Sequence, residues 1–300
     1  MTAVAVTADL TDFAVDLACW ASERIARVDP ANVRTKAHAA DPVTDTDIAV
    51  ESEVRERIAA RLPGHALRGE EFGATGPDDA RYTWFCDPVD GTTNYANGVN
   101  WCSFSLCCWD SGGPLVGVVG DPFRRRVAVG VRGEGSRLLP LDEDYRPVAG
   151  AGRALAVRRG SGLGGTVVTT EWLAHVPWPG MLGTIAGLAD GGCTVRIMGS
   201  STLSLLQVGL GAAAGCLIGH YSAIDDSAAV LIAMEAGAVA CGIDGVESVA
   251  PAGGILLAAP DFRDDILAAW QSSAPTSPRG STSAGEDQLH DSRSDLPGSA

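Results

Sequence analysis

The residues most able to do chemistry lie in the segment 84–94, where an apolar run leads directly into two carboxylates. Asp87 and Asp90 flank Pro88, which fixes its own backbone φ angle, and the carbonyl of Val89 lies between the two side chains. A rigid turn of this kind can hold these oxygen donors on one side, and oxygen donors are the ligands that Mg²⁺ prefers. The segment therefore predicts a magnesium site, with a plain Asp-Pro-x-Asp-Gly turn as the alternative.

The residues that follow Asp90 are suited to bind a phosphate group. Gly91 lets the backbone approach a ligand closely, because it has no side chain. Thr92 and Thr93 stand at the predicted start of a helix, where backbone amides can donate to an anionic oxygen. A phosphate oxygen is therefore expected beside the metal.

Two further acidic pairs have ordinary explanations when each is taken alone. Glu70 and Glu71 follow a Pro-Gly turn and an arginine, and glutamates in loops are usually solvated. Asp225 and Asp226 begin an apolar, alanine-rich helix, where an aspartate commonly acts as the N-cap. The helix dipole keeps such a carboxylate ionised, which also suits a metal ligand.

In their order along the chain, these motifs resemble the signatures of the inositol monophosphatase family, which belongs to the metal-dependent, lithium-sensitive phosphatase superfamily. The resemblance extends from about residue 10 to residue 270, and the 87–94 segment is its most specific part. The matching segments are Asp41-Pro-Val-Thr-Asp-Thr-Asp47, Gly69-Glu-Glu71, Asp87-Pro-Val-Asp-Gly-Thr-Thr-Asn94, and Asp225-x-x-Ala-Ala with Glu235-Ala-Gly ten residues later.

The resemblance implies a fold, a cofactor and a set of metal ligands. The implied fold is a layered αβαβα sandwich of the inositol monophosphatase and fructose-1,6-bisphosphatase type, which combines α+β and α/β features. The implied cofactor is Mg²⁺, with two or three ions in each site. The residues that match the family's metal ligands are Glu70, Asp87, the carbonyl of Val89, Asp90 and Asp225.

The resemblance also implies roles around the reacting phosphate. Glu70 and Thr92 match the pair that orients and activates the attacking water, and Asp47 matches a carboxylate beside them. Gly91 and Thr92 match the backbone that holds the phosphate. The residues implied to contact the alcohol portion of the substrate are Asp90, Gly199, Ser200 and Ser201.

The implied activity is Mg²⁺-dependent hydrolysis of a small phosphorylated polyol, first of all inositol 1-phosphate. Histidinol phosphate, fructose 1,6-bisphosphate and adenosine 3′,5′-bisphosphate are alternative substrates on the same fold, and a catalytically silent metal-binding regulator is an alternative of another class. The family's inositol-specific members carry a glutamate seven residues before the last aspartate ligand, where this chain has Ile218. A tryptophan usual just before that aspartate is replaced by Ile224. These replacements weaken the case for the inositol ring but leave the metal ligands unchanged.

Hydrophobic periodicity predicts the elements that must position these residues. Helices are expected over about 10–29 and 48–62, followed by an antiparallel meander over residues 82–133. Beyond residue 150, strands alternate with helices, which indicates a layered α/β half. The predicted units are an N-terminal α+β half at 1–150 with most of the metal ligands, a C-terminal α/β half at 151–271, and a disordered, Ser/Pro/Gly-rich tail at 272–300.

Composition limits the partners. The 300 residues carry a formal net charge of −15, and such an acidic chain repels phosphate backbones, so a small phosphorylated substrate is expected and a nucleic-acid partner is not. No secretion signal or membrane-spanning segment is expected, which favours the cytoplasm. The eight cysteines form no CxxC pair and are expected to be buried thiols. Dimers are usual in the family that the chain resembles, so a homodimer is expected.

Overall fold

The computed structural model describes residues 3–28, 33–35 and 42–273. Asp41 and the predicted tail from residue 274 onward lie outside these ranges. The helices are α1 (Ala3–Arg27), α2 (Asp45–Arg61), α3 (Thr92–Ala96), α4 (Met181–Asp190), α5 (Ser201–Gly209), α6 (Ala223–Glu235) and α7 (Pro260–Ser273), with a 3₁₀ turn at Pro122–Arg124. Ser272 and Ser273 therefore belong to α7 and not to the predicted tail.

The strands follow the same chain order. They are β1 (Arg34–Thr35), β2 (Pro42–Val43), β3 (Ala66–Gly69), β4 (Gly73–Thr75), β5 (Thr83–Asp90), β6 (Ser103–Asp110), β7 (Gly113–Asp121), β8 (Arg126–Val131), β9 (Gly135–Pro140), β10 (Arg153–Ala154), β11 (Val167–Thr170), β12 (Thr194–Arg196), β13 (Gly215–Ile218), β14 (Val239–Cys241) and β15 (Ile255–Ala258). The predicted meander is confirmed, and it continues past residue 133 through β9 and β10.

Two large sheets organise the described residues. The first has eight strands in the order β10-β9-β8-β7-β6-β5-β3-β4, antiparallel except where β3 pairs parallel with β5. The second has five strands in the order β12-β11-β13-β15-β14 and mixes parallel with antiparallel pairs. β1 and β2 form a separate antiparallel pair.

The helices alternate with these sheets as layers. Helices α1 and α2 cover one face of the first sheet, and α6 packs on its other face. Helix α5 lies beside α6 and contacts the second sheet, whose outer face is covered by α4 and α7. The predicted αβαβα sandwich is thereby confirmed. The predicted boundary at residue 150 stays a prediction; β10, the last strand of the first sheet, lies just beyond it.

Helix α6 lies unusually close to the first sheet, because two glycines of the sheet face it. A Cβ atom at Gly117 would lie 3.0 Å from the Cα atom of Ala228, and one at Gly130 would lie 2.8 Å from the Cα atom of Ile232. Real Cβ atoms do not pack this tightly against backbone. The close approach matters for the site, since α6 carries Asp225 and Asp226 at its first turn.

The predicted burial of the cysteines is confirmed. All eight are buried free thiols. Burial raises the pKa of Cys19 and Cys107 to about 12, so these thiols stay protonated near neutral pH and react poorly as nucleophiles. Among the residues that the structure describes, none of the helices has the length and apolar composition needed to cross a bilayer.

Filling the space under α6 should destabilise the fold. We expect Gly130→Ala to lower the free energy of unfolding by about 1–3 kcal/mol, because the added methyl group meets the α6 backbone. Gly164→Ala is the matched control, since a Cβ there meets nothing within 4 Å. Denaturant unfolding of both variants checks this, and equal stability of the two would contradict the packing argument.

Candidate active site

The end of β5 presents the two carboxylates that the sequence singled out. Asp87 and Asp90 are both buried, and the pairing of β5 with β6 shifts register between them. This irregularity lets the chain bring both side chains to one place, where an ordinary strand would alternate their directions. Asp87 accepts a hydrogen bond from the backbone N–H of Val89 at 3.0 Å.

Asp90 is oriented by the first turn of α5. One carboxylate oxygen accepts from the hydroxyls of Ser200 and Ser103 and from the Thr202 N–H, the last at 3.2 Å. The other oxygen accepts from the Ser201 N–H at 3.2 Å. Asp90 is the last residue of β5 in the first sheet, whereas these donors lie at the start of α5, which contacts the second sheet. The carboxylate thus bridges the two halves.

Asp225 reaches the same place from the first turn of α6. The helix begins earlier than the sequence suggested, at Ala223 with Ser222 as N-cap, so the N-cap explanation for Asp225 and Asp226 is wrong. The carbonyl of Asp225 accepts from the Thr202 hydroxyl at 2.6 Å, which ties α6 to α5.

Asp226 is a buried carboxylate that the sequence reading did not assign to the site. It accepts from the Ser201 hydroxyl at 2.9 Å and from the Ser222 N–H at 2.8 Å. Burial raises its pKa to about 7. Its position beside Asp225 was the only signal for it in the sequence.

Glu70 completes the acidic group from the end of β3. Its backbone N–H donates to the carbonyl of Cys86 at 3.2 Å, which places it next to β5. Its charge acts on Asp47, Asp87, Asp90 and Asp225, raising the pKa of each. The structure therefore places Glu70 near Asp87, Asp90 and Asp225, while their role as metal ligands stays a prediction.

These carboxylates repel one another. Burial raises the pKa of Asp87 well above its usual range, and the charges of Glu70, Asp90 and Asp225 raise it further. Burial likewise raises the pKa of Asp90 to about 6, partly offset by the hydrogen bonds from Ser200 and Ser103. Burial and then the charge of Asp226 raise the pKa of Asp225 well above its usual range. The strongest charges around Asp87 are thus all negative, an environment that favours a bound cation.

The donor chemistry fits a hard divalent cation. Carboxylates with a backbone carbonyl are oxygen ligands of the kind that Mg²⁺ takes. Within residues 3–28, 33–35 and 42–273, no three His, Cys, Asp or Glu side chains are arranged so that together they could hold a metal ion. Asp90 and Asp87 instead turn oxygens toward hydroxyl and amide donors. Binding a cation would therefore require these carboxylates to be rearranged.

Thr92 and Asp47 form a second group beside the carboxylates. The Thr92 hydroxyl lies 3.2 Å from an Asp47 carboxylate oxygen and 2.8 Å from the carbonyl oxygen of Val89. Asp47 is fully buried in the first turn of α2, where it forms a capping box with Thr44. Burial raises the pKa of Asp47, while hydrogen bonds from Thr44 lower it.

Gly91 is required where the two halves meet. It has φ +86°, and a Cβ atom there would lie 2.9 Å from the carbonyl oxygen of Gly199 and 3.0 Å from that of Trp101. Any larger residue would push Gly199 away, and with it the start of α5. Gly91 also precedes α3, whose first residue is Thr92.

A cavity of about 200 Å³ opens beside Asp90. It is lined by Gly199, Ser200 and Ser201, which the sequence predicted, and by Glu171, Trp172 and Ala174, which it did not. Glu171 directly follows β11, so an acidic residue at a strand end was an available signal. Ile218 lies within the hydrophobic core of the C-terminal half, 7 % exposed.

Comparison with known proteins identifies the family. The model of the inositol monophosphatase family matches residues 7–274. The chain belongs to the inositol monophosphatase family. Its members are phosphatases, so the predicted resemblance and the predicted enzyme class are both confirmed.

Relatives within the family carry several names. Inositol-1-monophosphatase SuhB of Mycobacterium tuberculosis is 34% identical over 260 residues, covering 80% of this chain and 81% of that protein. Nus factor SuhB of Pasteurella multocida is 34% identical over 233 residues, covering 76% and 81%. Histidinol-phosphatase of M. tuberculosis is 33% identical over 227 residues, covering 75% and 83%.

Solved structures share the fold. SuhB from Bartonella henselae superimposes with a TM-score of 0.77 at 21% identity, covering 87% of this chain and 97% of that one. An IMPase/NADP phosphatase complexed with Mg²⁺ and phosphate has a TM-score of 0.67 at 20% identity, covering 79% and 85%. For this family member, the individual site residues, the absence of a nucleic-acid partner and the homodimer stay predictions.

The buried carboxylates predict an unusual pH dependence of stability. The folded pKa values of Asp90 and Asp226, about 6 and about 7, lie above the ordinary aspartate value of 3.8. The folded state therefore binds more protons than the unfolded state between about pH 4 and pH 7, and stability falls as pH rises through this window. Without Mg²⁺, we expect the Tm to be lower at about pH 8 than at about pH 5.

Added Mg²⁺ should raise the Tm more at the higher pH, because protons no longer compete for the carboxylates. Differential scanning calorimetry with a chelator and with Mg²⁺ checks both parts. A metal-free Tm that rises across the same range would show that the carboxylates already have cationic partners.

Proposed function

We propose that this phosphatase is a Mg²⁺-dependent phosphomonoesterase that hydrolyses a small phosphorylated polyol, first of all inositol 1-phosphate, to the free alcohol and phosphate. The observation that carries the proposal is that Asp87 and Asp90, both buried at the irregular end of β5, face Asp225 of the first turn of α6, so that like charges repel one another there. Divalent cations relieve this repulsion. The fold shared with a phosphatase complexed with Mg²⁺ and phosphate supports the same chemistry.

The residues that would hold two or three Mg²⁺ ions come from both halves of the chain. When bound, such ions lower the pKa of a coordinated water and neutralise charge on the phosphate oxygens. The proposed ligands are Glu70, Asp87, the carbonyl of Val89, Asp90 and Asp225, of which Asp87 and Asp90 are nearly fully buried.

Thr92 and Glu70 would orient the attacking water. A Thr92 hydroxyl that donates to Asp47 keeps its lone pairs available to accept a hydrogen bond from that water, which orients it. Asp47 is itself fixed by the Thr44 N–H at 2.9 Å, so the acceptor for Thr92 does not move. Glu70 lies at the exposed edge of the acidic group, where water can approach it.

The substrate would be held on either side of the acidic group. Gly91 and Thr92 would place backbone against the phosphate, since Gly91 presents no side chain. Gly199, Ser200 and Ser201 line the cavity beside Asp90 and would contact the alcohol portion. The leaving oxygen would then lie near Asp90.

The walls of that cavity favour a second candidate substrate, histidinol phosphate. Trp172 is 43% exposed and offers an indole face, and Glu171 adds a second carboxylate to Asp90. An aromatic face beside negative charge suits an alcohol that carries a ring and a protonated amine. Ile218 lies in the apolar core and offers no acceptor to ring hydroxyls. A relative named histidinol-phosphatase is 33% identical to this chain.

Loss of one proposed metal ligand should abolish turnover. We expect phosphate release to require Mg²⁺, and Asp90→Asn to reduce it about a thousandfold or more, because a ligand charge beside the leaving oxygen is lost. Asp264→Asn, a charge removal at an exposed position of α7, is the control and should be near wild type. Circular dichroism shows whether the variants are folded. Turnover above about a tenth of wild type in Asp90→Asn would rule out this role for the residue.

The lack of an acceptor at Ile218 should make the enzyme a poor discriminator among phosphate esters. We expect kcat/KM for inositol 1-phosphate to lie within about tenfold of that for histidinol phosphate or glycerol 2-phosphate, since a missing hydrogen-bond partner forfeits discrimination. Phosphate release from the three substrates measures the ratio. A preference of about a hundredfold or more for inositol 1-phosphate would show that another residue reads the ring. No release from any ester would favour the silent metal-binding regulator.

A further inference from the structure

The turn at residues 198–200 is held on opposite sides by two polar side chains. Glu171 accepts from the backbone N–H groups of Met198 and Gly199, at 3.1 and 2.7 Å. Asn94 donates from its side-chain amide to the carbonyls of the same two residues, at 2.7 and 3.3 Å. Met198 and Gly199 are therefore each bound by side chains at both the backbone N–H and the backbone carbonyl.

These two side chains come from different halves of the molecule. Asn94 lies in α3, directly after β5 of the first sheet. Glu171 directly follows β11 of the second sheet. The turn is thus fixed relative to both sheets at once, and a shift of either sheet must strain one set of hydrogen bonds.

The residues just after the turn orient Asp90. The Ser200 hydroxyl and the backbone N–H groups of Ser201 and Thr202 all donate to its carboxylate. Gly199 itself has φ +84°, and a Cβ atom there would lie 2.8 Å from the Asn94 side-chain nitrogen. The position of the turn therefore determines where the donors to Asp90 lie.

The Glu171 carboxylate is buried against the segment that leads into α5. Its side chain contacts donors that all come from one segment, Met198, Gly199 and the hydroxyl of Ser204, the last at 2.6 Å. The Glu171 side chain is 6% exposed. Burying a carboxylate costs free energy unless hydrogen bonds compensate for the lost water. An apolar side chain would fill the same space without this cost.

We propose that Glu171 and Asn94 are positioning residues for Asp90, which fix the 198–200 turn and thereby the place of the Asp90 carboxylate, the group that would bind Mg²⁺. This rests on the proposed function, in which Asp90 is a metal ligand. Neither residue is assigned to the metal or the reacting atoms, and each acts through the turn.

The test compares two glutamates that each accept hydrogen bonds from two backbone amides, one beside Asp90 and one far from it. Glu171→Gln leaves a single acceptor oxygen and turns an amide N–H toward a backbone N–H of the turn. Glu235→Gln is the matched control, because the Glu235 carboxylate also accepts from two backbone amides, those of Gly133 and Gly135, both at 2.8 Å, at the far end of α6. Calorimetric Mg²⁺ titration of the full chain is the readout, supported by the Mg²⁺ dependence of turnover.

We expect Glu171→Gln to weaken Mg²⁺ binding about tenfold and to raise the Mg²⁺ concentration for half-maximal turnover by a similar factor. Glu235→Gln should leave both within about twofold of wild type, whatever its effect on the Tm. Asn94→Ala should weaken Mg²⁺ binding in the same way, and the double variant with Glu171→Gln should lose less than the product of the two single losses, because both residues act on one turn.

The outcomes separate the two proposals. If the wild type binds Mg²⁺ and is active, but Glu171→Gln binds Mg²⁺ within about twofold of it, the positioning role is overturned while the proposed function stands. An equal loss in Glu235→Gln would also overturn it, since the effect would then reflect general stability. A wild type that binds no Mg²⁺ would overturn the proposed function and the positioning role with it.

Discussion

Buried carboxylates that repel one another are the constraint on which the rest of this structure depends. Asp87, Asp90 and Asp225 each have a raised pKa, first from burial and then from like charges nearby. Left alone, such a group would separate or take up protons. The fold keeps it together by drawing the side chains from three rigid places: the irregular end of β5, the end of β3 and the first turn of α6.

Backbone and hydroxyl donors offset part of the repulsion. Asp90 alone accepts from Ser200, Ser103 and two backbone amides, and Asp226 accepts from Ser201 and Ser222. Apart from Ser103 in β6, these donors lie at the starts of α5 and α6, where backbone N–H groups lack partners within the helix. The starts of α5 and α6 therefore face these carboxylates. Helix α6 can lie close to the first sheet because Gly117 and Gly130 have no side chains.

Much of the fold could be predicted from local pattern. The 87–94 segment contains candidate ligands, a turn and a helix start within one short stretch. Its candidate ligands can therefore be identified from the sequence of this segment alone. The strands and helices predicted to alternate after residue 150 are present as β11 to β15 and α4 to α7. Strand β9 was missed because it follows the predicted meander, and the start of α6 was misplaced because Asp226 looks like an N-cap while Ser222 fills that role.

Contacts between distant segments could not be predicted in this way. The meeting of Gly91 with Gly199, and of Asn94 and Glu171 on one turn, joins segments that periodicity treats as separate. Glu171 was visible only as an acid after a strand. The role of Glu171 depends on its hydrogen bonds to the segment that leads into α5, and the family motifs do not describe that contact.

Because every cysteine is buried, each one can serve as a native probe of how often the fold around it opens. Thiols are distributed over both halves, from Cys19 in α1 and Cys86 in β5 to Cys216 in β13 and Cys241 in β14. Because a buried, protonated thiol does not react, the rate at which a thiol reagent labels each cysteine reports how often its surroundings open. Labelling resolved by mass spectrometry would therefore show whether the two sheets separate before either one unfolds, with no introduced label.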